Sequence, residues 1–316
     1  MRLFRSAVKA LSLFSLLVLF SYRYIYPSIR LRIHNVPSPN AYVFYAAQDV
    51  YACSVAVNVH LLRTFFHTKH RIVVFLSPDI SQQYFNLFKD LDVTVIEEEP
   101  VPLNQESISY YYGCLLKLAA FRMHEIDPSV RRILTLDADQ IILKNLDHLF
   151  DLPSTPFLAP TAYWISQDCL SSTLMLIEPN PALWSMVQDA LMNPKPNQYD
   201  MDIINVLFGY LSDRIPGKYV TLNSHWEDRN LPAWFNSSDA ETRGRFDGIL
   251  TSDQDLASLY HEAYVLHFTA VGKPWMYSTD QVREARLDAH PVLFEQWETW
   301  RSLAADTCPD EVVVQL

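Results

Sequence analysis

The stretch Leu134-Thr135-Leu136-Asp137-Ala138-Asp139-Gln140-Ile141-Ile142-Leu143 sets two acids, two residues apart, between apolar runs. The chain holds four Asp-x-Asp triplets: Asp90/Asp92, Asp137/Asp139, Asp200/Asp202 and Asp253/Asp255. A triplet is therefore informative only through its surroundings. Residues 132–136 read as a buried strand, so Asp137 stands just past a strand's carboxyl end. In an extended segment residues i and i+2 share a face, and Asp137 and Asp139 are expected to project together into a crevice. Two carboxylates so placed repel unless something positive lies between them. A hard divalent cation with oxygen ligands meets that demand.

The segments before this stretch alternate in type. Residues 41–45 (AYVFY) read as a strand, and residues 51–66 as a helix with Val55, Val59 and Leu62 at helical spacing. Residues 71–76 (RIVVFL) are a second strand, 81–91 a helix, 93–96 a third short strand, and 112–124 a helix leading into strand 132–136. This alternation predicts an α/β fold with a parallel sheet covered on both faces. Strands of such a sheet read as near-continuous apolar runs, and ligands gather beyond their carboxyl ends.

The other triplets have plainer settings. Asp90 and Asp92 flank Leu91 at a helix-to-strand joint and read as a solvated turn. Asp253 and Asp255 precede a helical-looking run, where capping explains them. Asp200 and Asp202 open the helix predicted over 201–210, so one of them is expected either to cap it or to serve a site.

The chain has 316 residues, 49% of them hydrophobic, enough for a sizeable core in one large domain or two small ones. With six glycines there is no GxGxxG and no GxxxxGK[ST] phosphate loop. A net charge of −11 without a basic stripe argues against nucleic acid as a partner. Arg2, Arg5 and Lys9 precede an uncharged run over residues 10–22, and Arg23, Arg30 and Arg32 follow it. This pattern predicts an uncleaved signal anchor with snorkelling flanks; no small-x-small cleavage site follows the run. Residues 27–40, with three prolines, look like a short stem. The expected organisation is a cytoplasmic tail, anchor and stem over residues 1–35 and a luminal catalytic domain over 36–316. Asn236-Ser237-Ser238 is an N-glycosylation sequon, meaningful in a secretory compartment. Cys53, Cys114, Cys169 and Cys308 show no zinc spacing. A lumen would allow some to oxidise, while Cys53 and Cys114 also read as plain core residues.

The motif LTLDADQIILKNLDHLF (residues 134–150) resembles the aspartate signature of glycosyltransferase family 8, the glycogenin-like nucleotide-sugar transferases. Further blocks agree in order: FYAAQDVYACSV (44–55), YYYGCLLKLAAF (110–121), YDMDIIN (199–205) and HFTAVGKPW (267–275). Among subfamilies the set is most similar to the fungal Golgi N-acetylglucosaminyltransferase group. The chain departs from the family pattern at Ala270, at Asp200-Met201 in place of Asp-Gln, and at Ser171-Ser172-Thr173 in place of Asn-Ser-Gly.

The resemblance implies a GT-A (Rossmann-like) fold and a Mn²⁺-dependent, retaining transfer from a UDP-sugar to a glycan or glycoconjugate, with N-acetylglucosamine first among donor sugars. It implies Asp137, Asp139 and His267 as metal ligands and Asp200 and Asp202 as catalytic-side acids. It implies a donor site with Tyr51 for stacking on uracil, Asp49 and Gln48 at the base edge, and Ala138, Gly272 and Lys273 near the diphosphate. Lys117 matches a family lysine near the donor and also reads as an ordinary helix-face lysine. The implied setting is a single-pass type II protein of the Golgi membrane. Three alternatives stay open: a glucosyl- or glucuronosyltransferase of the same family, an inactive membrane-anchored glycan-binding protein, and a haloacid-dehalogenase phosphatase. The last of these normally carries its Asp-x-Asp on the first strand rather than at residue 137.

Overall fold

The structure is a computed structural model that describes residues 38–211, 213–235 and 251–309. The apolar run and the sequon expected to mark an anchor and a lumen lie outside the described residues. Among the described residues, no helix is long and apolar enough to cross a membrane.

The predicted alternation folds as one six-stranded sheet. β1 (Asn40–Ala46), β2 (Arg71–Leu76), β3 (Thr94–Glu97) and β4 (Arg132–Leu136) run parallel, in the order β3-β2-β1-β4. β7 (Leu174–Ile177) adds antiparallel to β4, and β6 (Phe157–Leu158) pairs antiparallel with β7 at the edge. The strands are continuous apolar runs because both faces are covered. Alternate residues go to opposite sides: Tyr42 and Phe44 of β1 join one buried cluster, Ala41 and Val43 the other. On the first side lie α1 (Asp49–His60) and the long helix at Pro291–Thr307; on the second lie the segment Cys114–Arg122 and the helices Pro181–Met192 and Asp200–Phe208. Cys53 of α1 is bonded to Cys308, just past the long helix, and so is not a plain core thiol; Cys114 and Cys169 are free.

Two expected helices differ in detail. α1 ends at His60 and continues as a π-helical turn over Leu61–Phe65. The segment expected as a helix over residues 112–124 is a 3-10 helix, Cys114–Arg122, with one α-turn at Met123–Ile126. Gly113 opens it with φ of +83°, and a Cβ there would lie 2.4 Å from Ala47 Cβ. Only glycine combines that backbone with so close an approach to the end of β1.

A second, three-stranded sheet decides the site. β5 (Gln140–Ile142) pairs antiparallel with β9 (Val265–His267), and β8 (Thr221–Leu222) pairs parallel with β9. The residues between β4 and β5 therefore carry the chain from the large sheet to the small one. The Asp-x-Asp segment is a bend and not the extended segment expected. The apolar run resumes at Gln140 because it enters a different sheet.

Candidate active site

Three elements converge where β4 ends. Asp137 follows β4 directly, and its backbone N–H donates to Thr173 O at the start of β7. Asp139 precedes β5, and its carbonyl accepts from Phe268 N just past β9. His267 closes β9 and stands opposite Gln140 in the strand register. The helix α1 backs the bend with buried polar side chains. Ser54 donates to Ala138 O at 2.5 Å, Asn58 donates to Gln140 O at 2.7 Å, and Ile142 N donates to Asn58 at 2.9 Å. Trp300 of the long helix donates in turn to Ser54 Oγ at 3.0 Å.

Two buried lysines divide the carboxylates between them. Lys117 Nζ lies 2.5 Å from Asp137 Oδ1 and 2.6 Å from Asp200 Oδ2, and it also donates to Ser172 O at 3.0 Å. Ser172 Oγ donates to the same Asp200 oxygen at 2.6 Å, and the Tyr45 hydroxyl donates to Asp137 at 3.0 Å. Lys273 Nζ lies 2.6 Å from Asp139 Oδ2 and donates to Phe268 O. His267 Nε2 lies 3.3 Å from that Asp139 oxygen. Burial by itself raises every carboxyl here. For Asp137 burial prevails over Lys117, with Asp139 and Asp200 adding repulsion, so its carboxyl is raised. For Asp139 burial is outweighed by His267 and Lys273, which hold it well below the ordinary carboxylate range. Asp200 is likewise held low against burial, by Lys117 and the Ser172 hydroxyl. Burial would lower Lys117, but the two carboxylates beside it raise it above the ordinary lysine range.

These groups line one cavity of about 380 Å³ beyond the carboxyl ends of β1 and β4. Tyr51, Lys117, Asp137, Ala138, Asp139, Asp200, Asp202, His267 and Lys273 all reach it, so most of the residues singled out in the sequence meet in one place. Lys117 is not the exposed helix-face lysine its pattern allowed; its side chain is 2% exposed because two carboxylates require its charge. Asp202 accepts from Tyr199 N at 2.9 Å and completes the cap of the Asp200–Phe208 helix, whereas Asp200 turns inward. Three expected donor contacts are not brought to the cavity lining. Asp49 is turned away because its carboxylate accepts from Ser81 N (2.9 Å) and Ser81 Oγ. Gln48 is exposed just ahead of α1. Gly272 has φ of +99°, but Met276 and Tyr277 fill the space a Cβ would take, so the glycine serves the turn rather than an open approach. Tyr45 and Ser172 were not anticipated. The place of Tyr45 at the carboxyl end of β1 was a usable signal, while Ser172 belongs to the site through contacts with Lys117 and Asp200, 55 and 28 residues away.

Ligand atoms of Asp137, Asp139 and His267 all lie within 4.8 Å of one another. Two hard carboxylates and one borderline imidazole are a donor set for a divalent first-row cation. His267 Nδ1 is buried and has no hydrogen-bond partner among the described residues. The residues present fit a metal ion.

No family model matches the chain. Over 256 residues it is 26% identical to glucose N-acetyltransferase 1 of Gibberella zeae, a match spanning 75% of this chain and 53% of that protein. It is 27% identical over 307 residues to the protein of the same name from Aspergillus fumigatus, covering 84% of this chain and 74% of that one. Galactinol synthase 4 of Arabidopsis thaliana is 23% identical, with 87% and 85% covered. Among solved structures, the galactosyltransferase LgtC in complex with donor and acceptor sugar analogues superposes with a TM-score of 0.57 at 19% identity, covering 87% of this chain and all of that one. The fold is the mixed α/β, GT-A-like fold of glycosyltransferases. The relatives and the fold neighbours together support a glycosyltransferase.

Proposed function

We propose that the chain is a retaining transferase that moves a sugar from a UDP-sugar to a glycan or glycoconjugate acceptor, with Mn²⁺ as its metal. The observation that carries this reading is the meeting of Asp137, Asp139 and His267 at the cavity floor beside two buried lysines. Those three residues would hold the ion, and an imidazole among hard oxygens suits Mn²⁺ better than Mg²⁺. When bound, the ion supplies positive charge to a departing diphosphate. Lys273 adds a fixed positive charge at the same place. Tyr51 offers a half-buried ring, set edge-on to Trp275, for the uracil base. Asp200 keeps its negative charge facing the cavity, because Lys117 and Ser172 stabilise the ionised form. A carboxylate so held favours cationic character at the anomeric carbon as the glycosidic bond weakens. Asp202 supports this by fixing the start of the helix that carries Asp200.

N-acetylglucosamine stays first among the donor sugars we propose, on the resemblance of residues 199–205 and 267–275 to the fungal Golgi group. We place the catalytic domain over residues 36–316 in the lumen of the Golgi, anchored by the apolar run over residues 10–22. The Cys53–Cys308 bond supports that placement, since disulfides persist in oxidising compartments. The test is UDP release by the detergent-solubilised full chain against a panel of UDP-sugars with and without Mn²⁺. One donor is expected to turn over only with the metal, and Asp139→Asn is expected to lower that turnover about a hundredfold or more while the protein stays folded. No turnover with any donor, or undiminished turnover in the variant, overturns the reading.

A further inference from the structure

The cavity has a floor of charges and a rim of a different character. Ile108, Tyr110, Tyr111 and Tyr112 are 58%, 56%, 42% and 46% exposed, although large apolar side chains are usually withdrawn from water. All three tyrosines reach the cavity, together with Trp164 and Tyr199. Their rings contact one another: Tyr110 meets Tyr111 edge-on at 5.1 Å between centroids, and Tyr111 meets Tyr199 at 4.3 Å.

This rim is held in place. Asn104 donates to Pro194 O at 3.2 Å, Asn197 N to Ser107 Oγ at 2.9 Å, and Ile108 N to the Tyr199 hydroxyl at 3.1 Å. Three cross-links thus tie the segment before Gly113 to the segment before Asp200. The exposed rings are therefore positioned by the same backbone that places Lys117 and Asp200 on the floor. Preorganised aromatic faces lose little conformational freedom when a ligand covers them.

We propose that Tyr110, Tyr111, Tyr199 and Trp164 form a stacking platform for an uncharged pyranose of the acceptor. The proposal rests on the transferase reading for its word "acceptor" but not for the sugar-binding surface itself. A pyranose has an apolar C–H face and a girdle of hydroxyls; tyrosine and tryptophan combine a flat apolar body with a polar tip. Charge selects the class of ligand. Among the described residues, the only lysines or arginines lining the cavity are Lys117 and Lys273, each engaged by carboxylates, while Asp202 adds negative charge at the rim. An anionic sugar or a phosphorylated acceptor would find no unengaged cation among those lining side chains. The platform also adjoins Asp200, so a ring stacked on it lies beside the place where the donor sugar is expected to react.

Saturation-transfer NMR on the detergent-solubilised full chain tests this, with lactose, cellobiose and chitobiose as neutral probes and methyl glucuronide as the charged one. Ring C–H signals are expected from at least one neutral disaccharide and not from the glucuronide. The dissociation constant is expected to rise about tenfold or more in Tyr110→Ala/Tyr111→Ala, and binding to be restored by Tyr110→Phe/Tyr111→Phe, which keeps the rings. The proposal falls if no neutral disaccharide binds, if the glucuronide binds best, if the alanine variant binds as well as the wild type, or if the phenylalanine variant loses as much as the alanine one. Binding of UDP with Mn²⁺ to the wild type, measured alongside, reports on the transferase reading separately. Its failure with disaccharide binding intact leaves a glycan-binding surface and removes the transferase.

Discussion

Asp137 and Asp139 stand two residues apart at similar depth, yet they belong to two regions with opposite electrostatics. The Asp137 side is built on the six-stranded sheet, where one lysine, Lys117, serves two carboxylates. The Asp139 side is built on the small sheet, where one carboxylate meets Lys273 and His267. One region is short of positive charge and the other is well supplied, and the two carboxyls shift in opposite directions accordingly. The lesson is that a buried charge is governed by the ratio of partners around it, not by its depth. A site that asks two acids to share a cation holds one of them in a state that folding alone disfavours.

The largest expected effect tests that asymmetry directly. Lys117→Met leaves two buried carboxylates without their cation and is expected to cost about 3–5 kcal/mol in urea unfolding. Lys273→Met is expected to cost clearly less, because Asp139 keeps His267. Equal losses would break the comparison. Next in size are the asparagine variants of the two acids, compared in metal-free protein across pH. Asp139 has a depressed folded pKa, so it contributes stability above the ordinary carboxylate range near pH 4 that is lost in acid. Asp139→Asn is therefore expected to be less stable than wild type at pH 7, with the gap closing as pH falls. Asp137 has a raised folded pKa, so its ionised form weakens folding above that range. Asp137→Asn is expected to gain on wild type as pH rises from about 4 toward 7. Parallel pH profiles for the two variants would contradict the split.

A smaller effect sharpens the account of the bend that joins the two regions. Ser54→Ala removes the hydroxyl that links Trp300 to the Ala138 carbonyl and leaves both buried groups unpaired. It is expected to cost about 1–3 kcal/mol and to weaken Mn²⁺ binding measured by calorimetry. Loss of stability with unaltered metal affinity would mean that α1 supports the fold but does not aim the carboxylates.

Much of the large sheet was legible along the chain, and the reason is local. Strands buried on both faces must be apolar throughout, and residues 71–76 and 132–136 advertise this in isolation. The small sheet was less legible. β5 has three residues and β8 two, and each owes its existence to β9, far away in the chain. Residues 140–142 carry no signal of their own that they form the first strand of a second sheet. Lys117 was left between two readings for a similar reason: a lysine in an apolar run looks the same whether it reaches water or a buried acid. Cys53 and Cys308 lie 255 residues apart, and no spacing rule links them.

By itself, the sequence determined the α/β alternation, the lack of a GxGxxG or GxxxxGK[ST] phosphate loop, and the set of acids, histidine and lysines that meet at the site. These follow from periodicity, composition and residue chemistry, which are properties of neighbours along the chain. Only the tertiary structure decided that Asp200 faces inward while Asp202 caps a helix, that Lys117 is shared, and that a tyrosine rim frames the charged floor. Each of these is a balance of burial against partners brought from distant segments, and the chain must fold before that balance exists.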